Sequence, residues 1–187
     1  MNTLPEYLET VLTGMRQVGP GESLARLQAA VEAHPEDPRL LLLLAGEYAQ
    51  NREYDRAEGA YTAALLQAPD FAIARFQLGL LQFTSGRPSS ALVTWVPLEI
   101  LGRDHYLYLF KEGFAALAQD QFDEAIRCLE AGIRQNAENP PLNQDMQLMI
   151  QRIREARSET SSDGSDPSVE DPQADAHFLL SNYGKVQ

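Results

Sequence analysis

The chain has 187 residues, 44% of them hydrophobic, which is enough to bury one core. Its 27 acidic residues against 15 basic ones leave a formal charge of −12, which repels a nucleic-acid backbone or an anionic membrane and leaves basic or neutral protein surfaces as partners. Cys128 is the only cysteine, so an internal disulfide is excluded, and Glu6 and Glu9 stand where a secretory signal would carry basic residues; a cytoplasmic protein with no membrane insertion is expected.

The elements follow in chain order. "LPEYLETVLTGMRQ" places Leu4, Leu8, Val11, Leu12 and Met15 on one stripe of a helix, and "ESLARLQAAVEAHPED" predicts a second helix ended by Pro35. Next, "PRLLLLLAGEYAQ" leads through the turn residues "NREY" to "DRAEGAYTAALLQAPD", with Pro69 as the stop. "FAIARFQLGLLQFT" leads through "SGRP" to "SSALVTWVPLEIL", and "YLYLFKEGFAALAQ" through "DQFD" to "EAIRCLEAGIRQNAENP". In "PPLNQDMQLMIQRIREARSE" the apolar residues Leu142, Met146, Met149, Ile150 and Ile153 recur at helical spacing, as in a helix that caps an open end. From Ser158 six acidic residues, five serines, Pro167 and Pro172 replace apolar periodicity until Phe178, so 158–175 reads as a flexible acidic linker. Within it Ser168 with Asp171 and Thr160 with Asp163 would suit an acid-directed kinase, but a solvated flexible spacer is the favoured reading.

A period binds these elements together. Ala57, Ala91 and Ala125 are spaced by 34; twelve residues before each stand Ala45, Gly79 and Gly113, and four after each stand Tyr61, Trp95 and Leu129. Small residues let paired helices approach, and the large residue one turn later fills the space between neighbouring hairpins. Each unit is a helix-turn-helix that cannot bury its apolar face alone and must stack.

On these residues the chain resembles the tetratricopeptide repeat family. The first unit supplies Leu41, Leu44 with Ala45, Tyr48, Ala57, Tyr61, Ala64 and Pro69; the second keeps Leu78 with Gly79, Ala91 and Trp95 but has Gln82, Leu98 and Arg103 at later positions; the third keeps Gly113 and Ala125 with Leu129 and Gly132. Leu27, Ala30 and Pro35 continue the phase backwards. The expectation is an all-α, right-handed α-solenoid: a degenerate leading repeat at 4–37, repeats at 38–71, 72–105 and 106–139, a capping helix at 140–157, the linker, and a tail motif at 176–187.

No constellation for catalysis stands out. His34, His105 and His177 are scattered, Cys128 reads as a buried structural thiol, and "GPGE" lacks the lysine of a phosphate loop. No enzyme activity, cofactor or metal is therefore expected.

The resemblance implies that first helices line a concave ligand site. Its places are the second, fifth, ninth and twelfth of each unit, and among them Leu42, Ile73, Phe76, Leu80, Phe83, Leu107, Phe110, Phe114 and Leu117 form the expected groove. Leu42, Gly46, Leu80 and Leu107 occupy places where a carboxylate clamp would need Lys, Asn or Arg, so an apolar peptide or amphipathic helix is the expected ligand. The same side chains would serve as core if the solenoid winds tightly.

The tail "AHFLLSNYG" offers Phe178, Leu179, Leu180 and Tyr183 as a displaceable occupant of this groove, in its own chain or a second copy, or as an address read by another protein. An 18-residue spacer spans roughly 23 Å. The functional expectation is an adaptor for a protein or peptide partner, regulated by this tail; the alternative is a chaperone similar to those of type III secretion, shielding an apolar client segment.

Overall fold

The computed structural model describes residues 5–15 and 19–162, with no β-strand among them. The tail motif Phe178, Leu179, Leu180 and Tyr183 lies outside the described residues, as does the acidic stretch from 163. Nine α-helices are described: α1 (Glu6–Met15), α2 (Pro20–Ala33), α3 (Pro38–Gln50), α4 (Tyr54–Gln67), α5 (Ala72–Thr84), α6 (Pro88–Trp95), α7 (Tyr106–Leu117), α8 (Phe122–Gln135) and α9 (Pro140–Ser162). Consecutive helices pair as hairpins α3–α4, α5–α6 and α7–α8, which stack into an all-α solenoid.

The turn inside each hairpin is made the same way. Arg52 (φ 62°), Gly86 (φ 74°) and Asp120 (φ 57°), one period apart, adopt the left-handed conformation. The next residue's N–H then donates back to the carbonyl of Tyr48, Gln82 or Ala116 at 2.8–3.0 Å. Only the second turn uses the residue without a Cβ penalty.

Within a hairpin, the missing side chain of one helix receives the large side chain of the other. A Cβ at Gly79 would stand 2.1 Å from Trp95 Nε1, and one at Gly113 would stand 2.8 Å from Leu129. The spacing of small and large residues thus reports contact inside the hairpin first. Trp95 is anchored within its own hairpin, its Nε1–H donating to the Phe76 carbonyl of α5 at 3.0 Å, and it bridges outward through its ring, 5.6 Å from that of Phe114 in the next hairpin.

Two segments depart from the sequence reading. The helix of "SSALVTWVPLEIL" stops at Trp95 and a 3₁₀ segment runs Val96–Leu101, because Pro97 has no N–H to donate to the preceding turn and its ring crowds the carbonyl there. At the other end α9 continues to Ser162, beyond residue 157, since no Gly or Pro interrupts "RSETSS". Leu142, Met146, Ile150 and Ile153 of α9 are buried against the last hairpin. Arg154 pairs with Glu130 at 2.8 Å, and Arg157 pairs with Asp123. At the front, Asp37 caps α3 by accepting from the Arg39 N–H at 3.0 Å and accepts from the Tyr7 hydroxyl at 2.6 Å, which ties α1 to α3.

Gly79→Ala should cost about 2–3 kcal/mol in urea unfolding, because the indole it strikes is fixed by its own hydrogen bond. Gly59→Ala meets nothing within 4 Å and should stabilise by about 0.5–1 kcal/mol. Equal effects of the two would show that close helix approach is not what holds the hairpin.

Candidate functional site

The expected groove divides on inspection, and five of its nine residues are corrected to core. Phe76, Leu80, Phe110 and Phe114 are 0% exposed and Leu107 is 1% exposed, so no guest could touch them without unpacking the fold. The cause lies in α5 and α7, which are apolar on nearly every side: in α5 Ala74, Phe76, Leu78, Gly79, Leu80 and Leu81 are all buried, and a helix apolar all round sits inside. The rings of Phe76, Phe110, Phe114 and Trp95 lie within 5.6–6.4 Å of their neighbours and weld the second hairpin to the third. Phe83 and Leu117 are half-buried on the same core, Phe83 at 5.1 Å from Phe114.

Leu42 and Ile73 alone of the nine meet at a cavity, of about 150 Å³. Its walls are Met15 of α1, Leu42, Leu43 and Gly46 of α3, Tyr61 of α4 and Ile73 of α5. Four polar side chains share it: Glu47 and Gln50 from α3, Gln77 from α5, and Asn139 from the turn into α9. Sequence reasoning missed these four. The available signal was Glu47 and Gln77 interrupting "LLLLLAGEYA" and "FAIARFQLGLL", a polar residue where an apolar helix buries every side.

The electrostatics of the cavity are one-signed. Glu47 is buried, and burial pushes its carboxyl above the usual range although a hydrogen bond from the Ser23 hydroxyl works the other way. Gln77 is 1% exposed, and both its amide nitrogen and its oxygen lack a hydrogen-bond partner among the described residues. Among those residues no Lys, Arg or His lines the cavity. Lys111 is engaged elsewhere, its Nζ 2.7 Å from Glu112 and 3.4 Å from Glu99.

A second apolar surface lies outside, where the 3₁₀ segment leaves Val96 and Ile100 exposed beside Pro97 and Leu101. Groups with reactive potential are quiet. Burial, and Glu124 beside it, push the Cys128 thiol up to about 11. His34 stacks on Tyr7 at 3.8 Å, and His105 Nδ1 accepts from the Leu107 N–H at 3.1 Å as a helix cap. Among the described residues no three metal-ligating side chains cluster, and no helix is long and apolar enough to cross a membrane.

Comparison with known proteins agrees with the helical hairpins. Residues 44–96 match the family model described as Tetratricopeptide repeat. Two solved structures share the fold. One is the MamA RS-1 ArsTM double mutant, 14% identical, covering 93% of this chain and 90% of that chain, with a TM-score of 0.57. The other is MamA 41-end from Desulfovibrio magneticus RS-1, 15% identical, covering 92% and 89%, with a TM-score of 0.53. Among curated proteins no match is found.

Unpaired buried polar atoms should report themselves in stability. Gln77→Leu removes two of them at similar volume and should stabilise by about 1 kcal/mol in urea unfolding; a loss would mean that the amide is satisfied in solution. Asp145 of α9, 2% exposed with an unpartnered Oδ2 among the described residues, is pushed by burial from the ordinary 3.8 up to about 7. The folded chain then keeps a proton that the unfolded chain has lost, so this residue's contribution falls as pH rises from about 4 to 7. Asp145→Asn should be the more stable chain at pH 8, by about 1–3 kcal/mol, with the gap shrinking toward pH 4 in thermal melts.

Proposed function

Because this chain is a tetratricopeptide repeat protein, we propose that it is a non-enzymatic adaptor whose inner face binds an apolar peptide or amphipathic helix of a protein partner. The observation that carries this reading is the cavity between α1, α3 and α5, with half-buried Leu42 and Ile73 at its wall. Apolar side chains around a small concavity take an anchor residue of a guest chain in the helix-in-groove or extended mode. The outward sites differ: Phe83 and Leu117 present partial apolar surface farther along the solenoid and extend the contact.

The C-terminal motif supplies an internal competitor. Phe178, Leu179, Leu180 and Tyr183 have the chemistry of the guest. With α9 reaching Ser162, the connection from 163 to 175 spans roughly 20 Å by the square-root law. Tethering at millimolar effective concentration makes weak docking appreciable while leaving it displaceable. A chaperone that shields an apolar client segment would use the same cavity and is distinguished by co-purification with a client that is insoluble alone.

Ile73→Glu should reduce capture of partners from the source cell at least tenfold, and Ile100→Glu on the outer surface should leave it unchanged. Removal of 176–187 should raise binding of an apolar dye and of partners. Insensitivity to Ile73→Glu removes the inner-face reading, and unchanged dye binding removes the internal competitor.

A further inference from the structure

The outer surface of the second hairpin differs from those on either side. α4 exposes Asp55 and Arg56, and α8 exposes Asp123, Arg127 and Arg134, as solvated helix faces do. From Pro88 to Leu101 the one exposed charge is Glu99, and its carboxylate lies 3.4 Å from Lys111 Nζ. Val93, Val96 and Ile100 are instead 72%, 56% and 90% exposed. The 3₁₀ segment builds this face: residues three apart on such a turn eclipse each other, so Pro97 and Ile100 point the same way. Leu98, 1% exposed, anchors the segment in the core, and Gly102 (φ 87°) turns the chain away from it. The apolar face is thus fixed before anything meets it, and a fixed apolar patch marks a contact surface.

Its details select the occupant. Ile100 stands at a hollow of about 460 Å³ walled by Pro69, Ala72, Val96, Pro97 and Leu101. Asp70 and Arg75 line the same hollow. Among the described residues neither has an ion-pair partner, and they do not pair with each other. The Arg75 guanidinium donates to the Pro69 carbonyl at 2.7 Å, which leaves further N–H groups over. A projecting apolar side chain beside an apolar hollow, and an acid beside a base, form a surface that complements itself across a two-fold axis. A foreign apolar segment would fill the hollow but leave Ile100 in water and cover Asp70 without supplying a cation. Two chains of formal charge −12 repel each other, so they meet only where charge is absent or reciprocally paired, as it is here.

We infer that this face is a two-fold contact between two copies of the chain, in which Ile100 of each enters the hollow of the other and Asp70 of each meets Arg75 of the other. Knob and hollow share one patch, so the contact closes on two chains and does not grow into a filament. A patch this small is well short of the roughly 20–30 residues a side of a stable interface, so the pair exchanges with monomer. The inference is independent of the inner-face reading.

The test is sedimentation velocity of the full chain over roughly a hundredfold range of concentration, which should show a monomer passing to a dimer and no larger species. Ile100→Glu, at a side chain outside the core, should weaken the dimer at least tenfold with an unchanged far-ultraviolet spectrum. Asp70→Arg and Arg75→Asp should each weaken it at least tenfold alone, whereas an equal mixture of the two variant chains should dimerise at least tenfold better than either, because each arginine then faces an aspartate. A chain that stays monomeric throughout overturns the inference, as does a dimer indifferent to Ile100→Glu or a mixture no better than its components. A dimer that disappears on removal of 176–187 also overturns it and assigns self-association to the C-terminal motif.

Discussion

The fold depends on one contact: a helix that lacks a side chain facing the largest side chain of its partner. Gly79 lets the Trp95 indole lie where a Cβ would stand, and the hydrogen bond from Nε1 to the Phe76 carbonyl fixes the register of α6 on α5. The indole is then held where its outer edge meets Phe114, so the geometry inside one hairpin sets the placement of the next. The third hairpin repeats the device with less bulk, Leu129 on Gly113. It adds a second contact, in which Phe110 occupies the space a Cβ at Gly132 would take. Stacked repeats are stabilised largely by such neighbour interfaces.

Close approach also decides where space is left. At the fifth place of each unit stand Leu42, Phe76 and Phe110, and at the ninth Gly46, Leu80 and Phe114. In the second and third units the aromatic and leucine side chains at these two places are fully buried. In the first, a leucine and a glycine do not, and a Cβ at Gly46 would meet nothing within 4 Å. The cavity is therefore the part of the inner face where the repeat uses its smallest residues, and it lies between α1 and the turn into α9 because those elements bound the same hollow.

Most of the architecture was legible because periodicity reports burial. Ala57, Ala91 and Ala125 are all 0% exposed, and Tyr61, Trp95 and Leu129 at most 2%. The left-handed turn residue is signalled at Gly86 and more weakly at Asp120, since Asp tolerates that conformation; Arg52 carries no such preference and adopts it because the packed helices on either side demand it. The site was less legible. Counting places within a unit assigns a direction to each side chain but not the depth at which it ends, so Phe76 and Phe114 counted as groove residues and are core. The polar residues of the cavity escaped for the opposite reason, since a search for apolar recognition passes over Glu47 and Gln77.

Those two residues change what kind of hollow the stacked helices enclose. A wholly apolar hollow would accept any greasy segment, including those of unfolded chains, because burial of apolar area is non-directional. This one instead sets at its wall Glu47, buried beside the Ser23 hydroxyl, and Gln77, whose amide atoms are buried and unpartnered among the described residues, so the cost of desolvating them falls on the folded chain itself. The same groups therefore lower the stability of the folded chain.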